Sequence, residues 1–115
     1  MKIVLADSND LMRVGLRTVL KTISNVDIVG EARTNEELIN QISNFDVNLV
    51  LIDYTSLGFD IDVIPKVLNT HAAVRFLAGN YTYDNFDDES EITLRGGGEH
   101  INAELEKELL ERLSL

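Results

Sequence analysis

At 115 residues, with 44% hydrophobic side chains, the chain is long enough for one well-buried core and too short for two. A formal net charge of −10 with no basic stripe argues against nucleic-acid binding by this segment. With no cysteine there is no disulfide framework and no thiolate metal site, which fits a cytoplasmic protein.

The chain opens with an apolar run, Met1 to Ala6, that ends on an acid at Asp7. The run is too short for a signal peptide or a spanning helix and is expected to form the first strand, over 2–7, so no membrane association is expected. Ser8, Asn9 and Asp10 are each able to cap the helix predicted over 9–23, in which Leu11, Met12, Leu16, Val19, Leu20 and Ile23 recur at helical spacing. Asp27–Ala32 reads as a second strand. Thr34-Asn35-Glu36-Glu37 is a capping-box pattern that opens a helix through Leu38, Ile39 and Ile42. The third strand, 47–53, carries four consecutive apolar residues and then Asp53, the pattern of a strand buried on both faces. It delivers its acid to the carboxyl edge of a parallel sheet, where open α/β folds put their chemistry. Asp7 ends the first strand in the same way, so a shared acidic pocket is expected.

After a loop over 54–59, a helix is expected at about 61–69, capped by Asp60 or Asp62, with Pro65 confined to its first turn. Residues 73–78 form the fourth strand. This is a (βα)₃β pattern with right-handed crossovers and helices on both faces of the sheet. From residue 80 the regularity fails. Tyr81, Tyr83 and Phe86 lie in a stretch without a helical stripe and fit packing over the fourth strand better than a free interaction patch. Glu91–Arg95 alternates as a half-exposed edge strand would. Gly96-Gly97-Gly98 reads as a hinge, with no lysine and serine or threonine after it to make a phosphate loop. An amphipathic helix is expected from about 100 to 113, and a hinge before it permits its exchange within a homodimer. Residues 1–79 carry a net charge of −3 and residues 80–115 one of −7, the latter most simply a solvated acidic face. His71 and His100 are isolated, without a second histidine at ligand spacing.

The stretches LADSNDLMRVGLRTVL, DIVGEARTNEEL, DVNLVLIDYTSLGFD and VRFLAGN, at the spacing they have here, resemble the receiver domain of two-component response regulators. The subgroup fused to helix-turn-helix transcription factors is the nearest in pattern. The resemblance covers residues 1–79; 80–115 diverge, within what reads as a single domain over 1–115. It implies a flavodoxin-like α/β three-layer sandwich with a mostly parallel five-stranded sheet, its fourth helix shortened or missing. It also implies that Asp53 is the phosphoacceptor, that Mg²⁺ assists, and that the donor is a sensor histidine kinase or a small acyl phosphate. Asp7 matches the first of two metal-binding acids, and Ser8 stands where the second usually lies. The Tyr54 or Thr55 carbonyl would complete the metal shell, while Asp10 fits a helix cap better than a ligand. Ala78 occupies the switch-hydroxyl position, Arg95 falls nearest the lysine position, and Ser56-Leu57-Gly58 replaces the usual proline. These departures leave two roles open: a working receiver, probed by phosphorylation at Asp53, and a phosphorylation-independent pseudo-receiver that serves as an interaction module. Neither is an enzyme in the ordinary sense. A flavin or nucleotide binder would need a phosphate-cradling loop after a strand, and the loops after Asp7 and Asp53 carry acids instead.

Overall fold

The first strand is apolar at every position from Ile3 to Ala6, and the structure shows why. Alternate residues of a strand face opposite sides of a sheet, and here both sides are covered. In the computed structural model, which describes residues 1–54, 56–60, 62–78 and 93–95, β1 (Lys2–Ala6) and β3 (Leu49–Ile52) lie side by side and parallel. Val4, Ala6, Val50 and Ile52 face one cluster, and Ile3, Leu5, Leu49 and Leu51 face the other.

The helices divide between those clusters. Leu16 and Leu20 of α1 (Asp10–Leu20) join Ile3 and Leu5. Leu38 and Ile42 of α2 (Asn35–Asn44), with Val63, Ile64 and Val67 of α3 (Val63–Thr70), join Val4 and Val50. Among the described residues one helix covers one face and two cover the other, which makes the three-layer sandwich expected from the sequence. Each fully buried aliphatic side chain is worth about 1.5–3 kcal/mol relative to exposure. These two clusters are therefore the main source of stability.

The sheet order is β2-β1-β3-β4-β5, with β2 at Asp27–Ala32, β4 at Arg75–Ala78 and β5 at Thr93–Arg95. The first four strands are parallel to their neighbours, and β5 pairs antiparallel with β4. The sheet is mostly parallel and five-stranded, as expected. The direction of its last strand was not legible from alternation alone. The register between β1 and β2 slips at Ile3/Val4, beside Gly30, where an added Cβ would collide with the Gln41 side chain.

Local signals hold with small shifts. Asn9, of the three candidates, caps α1: its side chain accepts from Met12 N at 3.1 Å. The helix ends at Leu20 rather than 23. Thr22 N and Ile23 N bond to Val19 O and Leu20 O as tightened turns, and Asn25 adopts φ 68°. Ile23 remains buried without being helical, which is why the periodic pattern overran the helix. Thr34 caps α2, accepting from Glu37 N at 3.2 Å, while the Glu37 carboxylate accepts from Arg33 N at 2.6 Å. The reciprocal bond of the capping box is thus displaced by one residue. Pro65 is the third residue of α3, where a helix has no use for its N–H. Asp62 precedes α3 without a side-chain cap bond, and Asp60 Oδ1 accepts from Asp62 N at 2.9 Å. His71 follows α3, half-buried, with its Nδ1 2.9 Å from Thr70 Oγ1.

No helix among the described residues is long and apolar enough to cross a membrane. Thr55, the aromatic stretch 81–86, the triple glycine, His100, the expected C-terminal helix and the region of the expected fourth helix lie outside the described residues.

Candidate functional site: an acidic pocket at the carboxyl edge

Because β1 and β3 are parallel neighbours in register, the residues that follow them emerge together at one edge of the sheet. Ala6 pairs with Ile52, and Asp53 N donates to Ala6 O at 3.0 Å. Asp7 N donates in turn to Ala32 O at 3.0 Å. The backbone ladders thus extend through both acids and hold them rigidly. Asp7 and Asp53 are the buried charged side chains among the described residues, 1% and 4% exposed. The fold thus brings the two strand-end acids to one edge of the sheet.

The two oxygens of Asp7 differ. Oδ1 accepts from Asn9 N at 2.8 Å, while Oδ2 is buried with no partner. An unpartnered buried carboxylate oxygen costs free energy, and a bound cation would remove that cost. Burial pushes the Asp7 carboxyl above its usual range. The Asn9 N–H opposes that shift, the negative charge of Asp53 adds to it, and the Arg13 guanidinium opposes it again. Two buried acids that repel one another at one sheet edge favour a cation over an anion.

The neighbouring residues sort into those the fold brings to the pocket and those it does not. Ser8 lies beside it, half-buried, with its N–H 3.3 Å from Ser56 Oγ. Asp10 turns away: it pairs with Arg13 and, at 3.3 Å, with Arg33, and so matches neither the capping nor the ligand role. Ala78 pairs with Ile52, one residue short of the level of Asp53. Arg95 pairs with Phe76, at the level of Val50, so the antiparallel course of β5 carries it away from the carboxyl edge. Thr55, the expected carbonyl ligand, lies outside the described residues. Among the described residues no three His, Cys, Asp or Glu side chains gather to hold a metal; the site has two carboxylates.

Two contributors were missed in the sequence. Arg13, its side chain only 11% exposed, donates Nη1 to Asp7 O at 2.5 Å and Nε to Glu31 Oε1 at 3.1 Å. Arg17 completes that network with bonds of 3.0 Å to both Glu31 oxygens. Helical spacing puts Arg13 and Arg17 on one face, but their partner on β2 is a long-range contact. Ser56 is the second. Its hydroxyl donates to Asp53 O at 2.8 Å, a local turn bond that a serine three residues after Asp53 allows.

No family model matches the chain. Its curated relatives include a transcriptional regulatory protein and several response regulators. The uncharacterized transcriptional regulatory protein YhcZ of Bacillus subtilis (strain 168) is 38% identical over 69 residues, 59% of this chain and 32% of that protein. The response regulator GacA of Pseudomonas syringae pv. syringae (strain B728a) is 27% identical over 78 residues, 67% of this chain and 36% of that protein. The chain thus spans about a third of the length of the curated relatives it matches. Among solved structures, the isolated receiver domain of RcsB from Salmonella enterica serovar Typhimurium, in the presence of phosphomimetic BeF₃⁻, superposes with a TM-score of 0.65. It is 22% identical, over 72% of this chain and 63% of that one. The non-phosphorylated receiver domain of the stress response regulator RcsB from Escherichia coli gives a TM-score of 0.65 at 22% identity, over 73% of this chain and 67% of that one. The chain has the receiver fold, and its sequence resembles the receiver portion of response regulators.

Proposed function

We propose that the chain is a phosphoryl-accepting receiver in a two-component phosphorelay, with Asp53 as the acceptor. The observation that carries this reading is the buried pair at the carboxyl edge, with Asp7 Oδ2 unpartnered beside Asp53. Asp7 and Asp53 would hold Mg²⁺, a hard cation that commonly takes one or two carboxylates and keeps several waters. When bound, Mg²⁺ would supply the positive charge that offsets the transferring phosphoryl oxygens. Asp53 attacks the phosphorus of a phosphohistidine in a sensor kinase, or of a small acyl phosphate. An O–P bond forms on the carboxylate as the donor's N–P or O–P bond breaks, and the donor leaves with its electron pair. The ladder bond from Asp53 N to Ala6 O keeps the nucleophile fixed through that step.

Residues 1–115 then act as one cytoplasmic signalling domain rather than an enzyme. Its output is protein–protein contact, homodimerisation included, within a regulator of transcription whose DNA-binding part is not in this segment. The names of its relatives support that setting.

Specific observations favour a second reading, a pseudo-receiver that binds partners without phosphoryl chemistry. Ser8 stands at the second acid position, Ala78 at the switch-hydroxyl position, and Arg95, paired with Phe76, is the residue nearest the lysine position. Intact mass after incubation with acetyl phosphate and Mg²⁺, beside an Asp53→Asn control, separates the two. One added phosphoryl group, absent from the control, is expected of the receiver; no addition to a protein shown by circular dichroism to be folded would favour the pseudo-receiver.

A further inference from the structure

We propose that Ser56 is a positioning residue for the acidic pocket. Its hydroxyl latches the loop after β3 to the loop after β1, and that latch sets the pocket's affinity for a divalent cation. The proposal rests on the reading of Asp7 and Asp53 as the cation-holding pair.

A hydroxyl has one proton to donate and two lone pairs to accept with, and Ser56 uses both capacities across the two loops. Its Oγ donates to Asp53 O at 2.8 Å and accepts from Ser8 N at 3.3 Å, while its own N–H also reaches Asp53 O at 3.2 Å. Hydrogen bonds in such a chain polarise one another. The chain therefore runs from the residue after Asp7 to Asp53 itself.

The consequence for Asp7 follows along the backbone. Ser8 is joined directly to Asn9, whose N–H holds Asp7 Oδ1 at 2.8 Å. Fixing the Ser8 amide limits rotation of the segment that carries the Asn9 amide. That in turn fixes the Asp7 carboxylate, with Oδ2 as the oxygen left for a ligand. On the other side, the loop beyond Ser56 is anchored by Gly58, whose O accepts from Asn35 N at 2.9 Å. Ser56 thus ties a loop already fixed at its far end to the one that orients Asp7. Partners outside the metal's own shell commonly control affinity in this way.

The test is a Mg²⁺ titration of wild type, Ser56→Ala and Ser56→Thr, followed by amide NMR, with hydrogen exchange and Tm measured on the metal-free proteins. In wild type, Mg²⁺ shifts the amides of residues 7, 8 and 53. Ser56→Ala is expected to bind about tenfold more weakly, the low end of the loss seen when an outer partner of a metal ligand is removed. Its Ser8 and Asn9 amides exchange faster and its Tm falls by no more than a few degrees. Ser56→Thr, which keeps the hydroxyl, retains wild-type affinity. If Ser56→Ala does not fold, Ser56→Cys takes its place and is expected to weaken binding similarly. A hydroxyl-free variant that binds Mg²⁺ as wild type does would overturn the role of Ser56 and leave the acidic pair standing. So would equal weakening in Ser56→Ala and Ser56→Thr that tracks Tm, the mark of a merely structural role. Wild type that binds no Mg²⁺ at these residues would overturn the reading of Asp7 and Asp53 and the latch with it.

Discussion

The two sides of β3 meet different surroundings at the carboxyl edge. Toward β1, parallel neighbours in register bring Asp7 and Asp53 together, each held by a backbone ladder bond of 3.0 Å. Toward β4, the ladder ends at Ala78 opposite Ile52, and β5 enters antiparallel with Thr93, not Arg95, at that edge. A parallel strand finishes at the carboxyl edge, whereas an antiparallel one begins there. The direction of a single strand thus decides whether its last residue can serve the pocket. The β1 side gathers two buried acids at the edge, whereas on the β5 side the backbone of Arg95 lies at the level of Phe76.

That contrast can be broken most forcefully at Leu51, in β3 and 1% exposed. Leu51→Ala should cost about 2–5 kcal/mol, read from the urea midpoint at unchanged m-value. A loss below about 1 kcal/mol would mean that the parallel seam is not where the fold's stability resides. Gly58 is the next test. It adopts φ +90°, and an added Cβ would lie 2.8 Å from Arg33 O. Gly58→Ala should cost about 1–3 kcal/mol in the same assay. If that variant is as stable as wild type, the loop after β3 is not held as described.

Asp7→Asn sharpens the comparison with the opposite sign. The folded protein raises the Asp7 carboxyl above its ordinary 3.8, chiefly through burial. Stability from this group is therefore fully present below the unfolded carboxylate's value and is lost as pH rises through the folded one. At neutral pH the ionised side chain is a net cost, so Asp7→Asn should gain on the order of 1 kcal/mol in metal-free buffer. The variant should also lose that group's decline in stability with rising pH. Equal stability of the two proteins across pH 4 to 8, a range set by where shifted carboxylates titrate, would contradict the burial of an uncompensated charge. Thr34→Ala is the smallest of the four. Loss of the α2 cap should cost about 1 kcal/mol, measured by thermal unfolding.

The parallel side was also the part legible in the sequence. Four apolar residues closed by Asp53, and the similar run closed by Asp7, point to buried parallel strands because only those need apolar side chains on both faces. The cap at Asn9 and the capping pattern at Thr34 are local signals that depend on neighbours three residues away. What escaped depends on partners far along the chain. Alternation over Glu91–Arg95 marks a strand but carries no direction, so the antiparallel pairing of β5 could not be read. Arg13 meets Glu31 on β2, and Ser56 reaches Ser8 forty-eight residues away; no local pattern announces either contact. The overrun of α1 has a similar origin, since Ile23 is buried for the sheet's sake after the helix has ended.

The central claim is that Asp7 and Asp53 form one cation-binding pocket. Paramagnetic broadening by Mn²⁺, a substitute for Mg²⁺ at oxygen sites, tests it most directly. Amide signals of residues 6–8 and 52–54 should broaden first as Mn²⁺ is added, excess Mg²⁺ should restore them, and Asp7→Asn should abolish the effect. Broadening spread over the acidic surface instead, unchanged in Asp7→Asn, would contradict the claim.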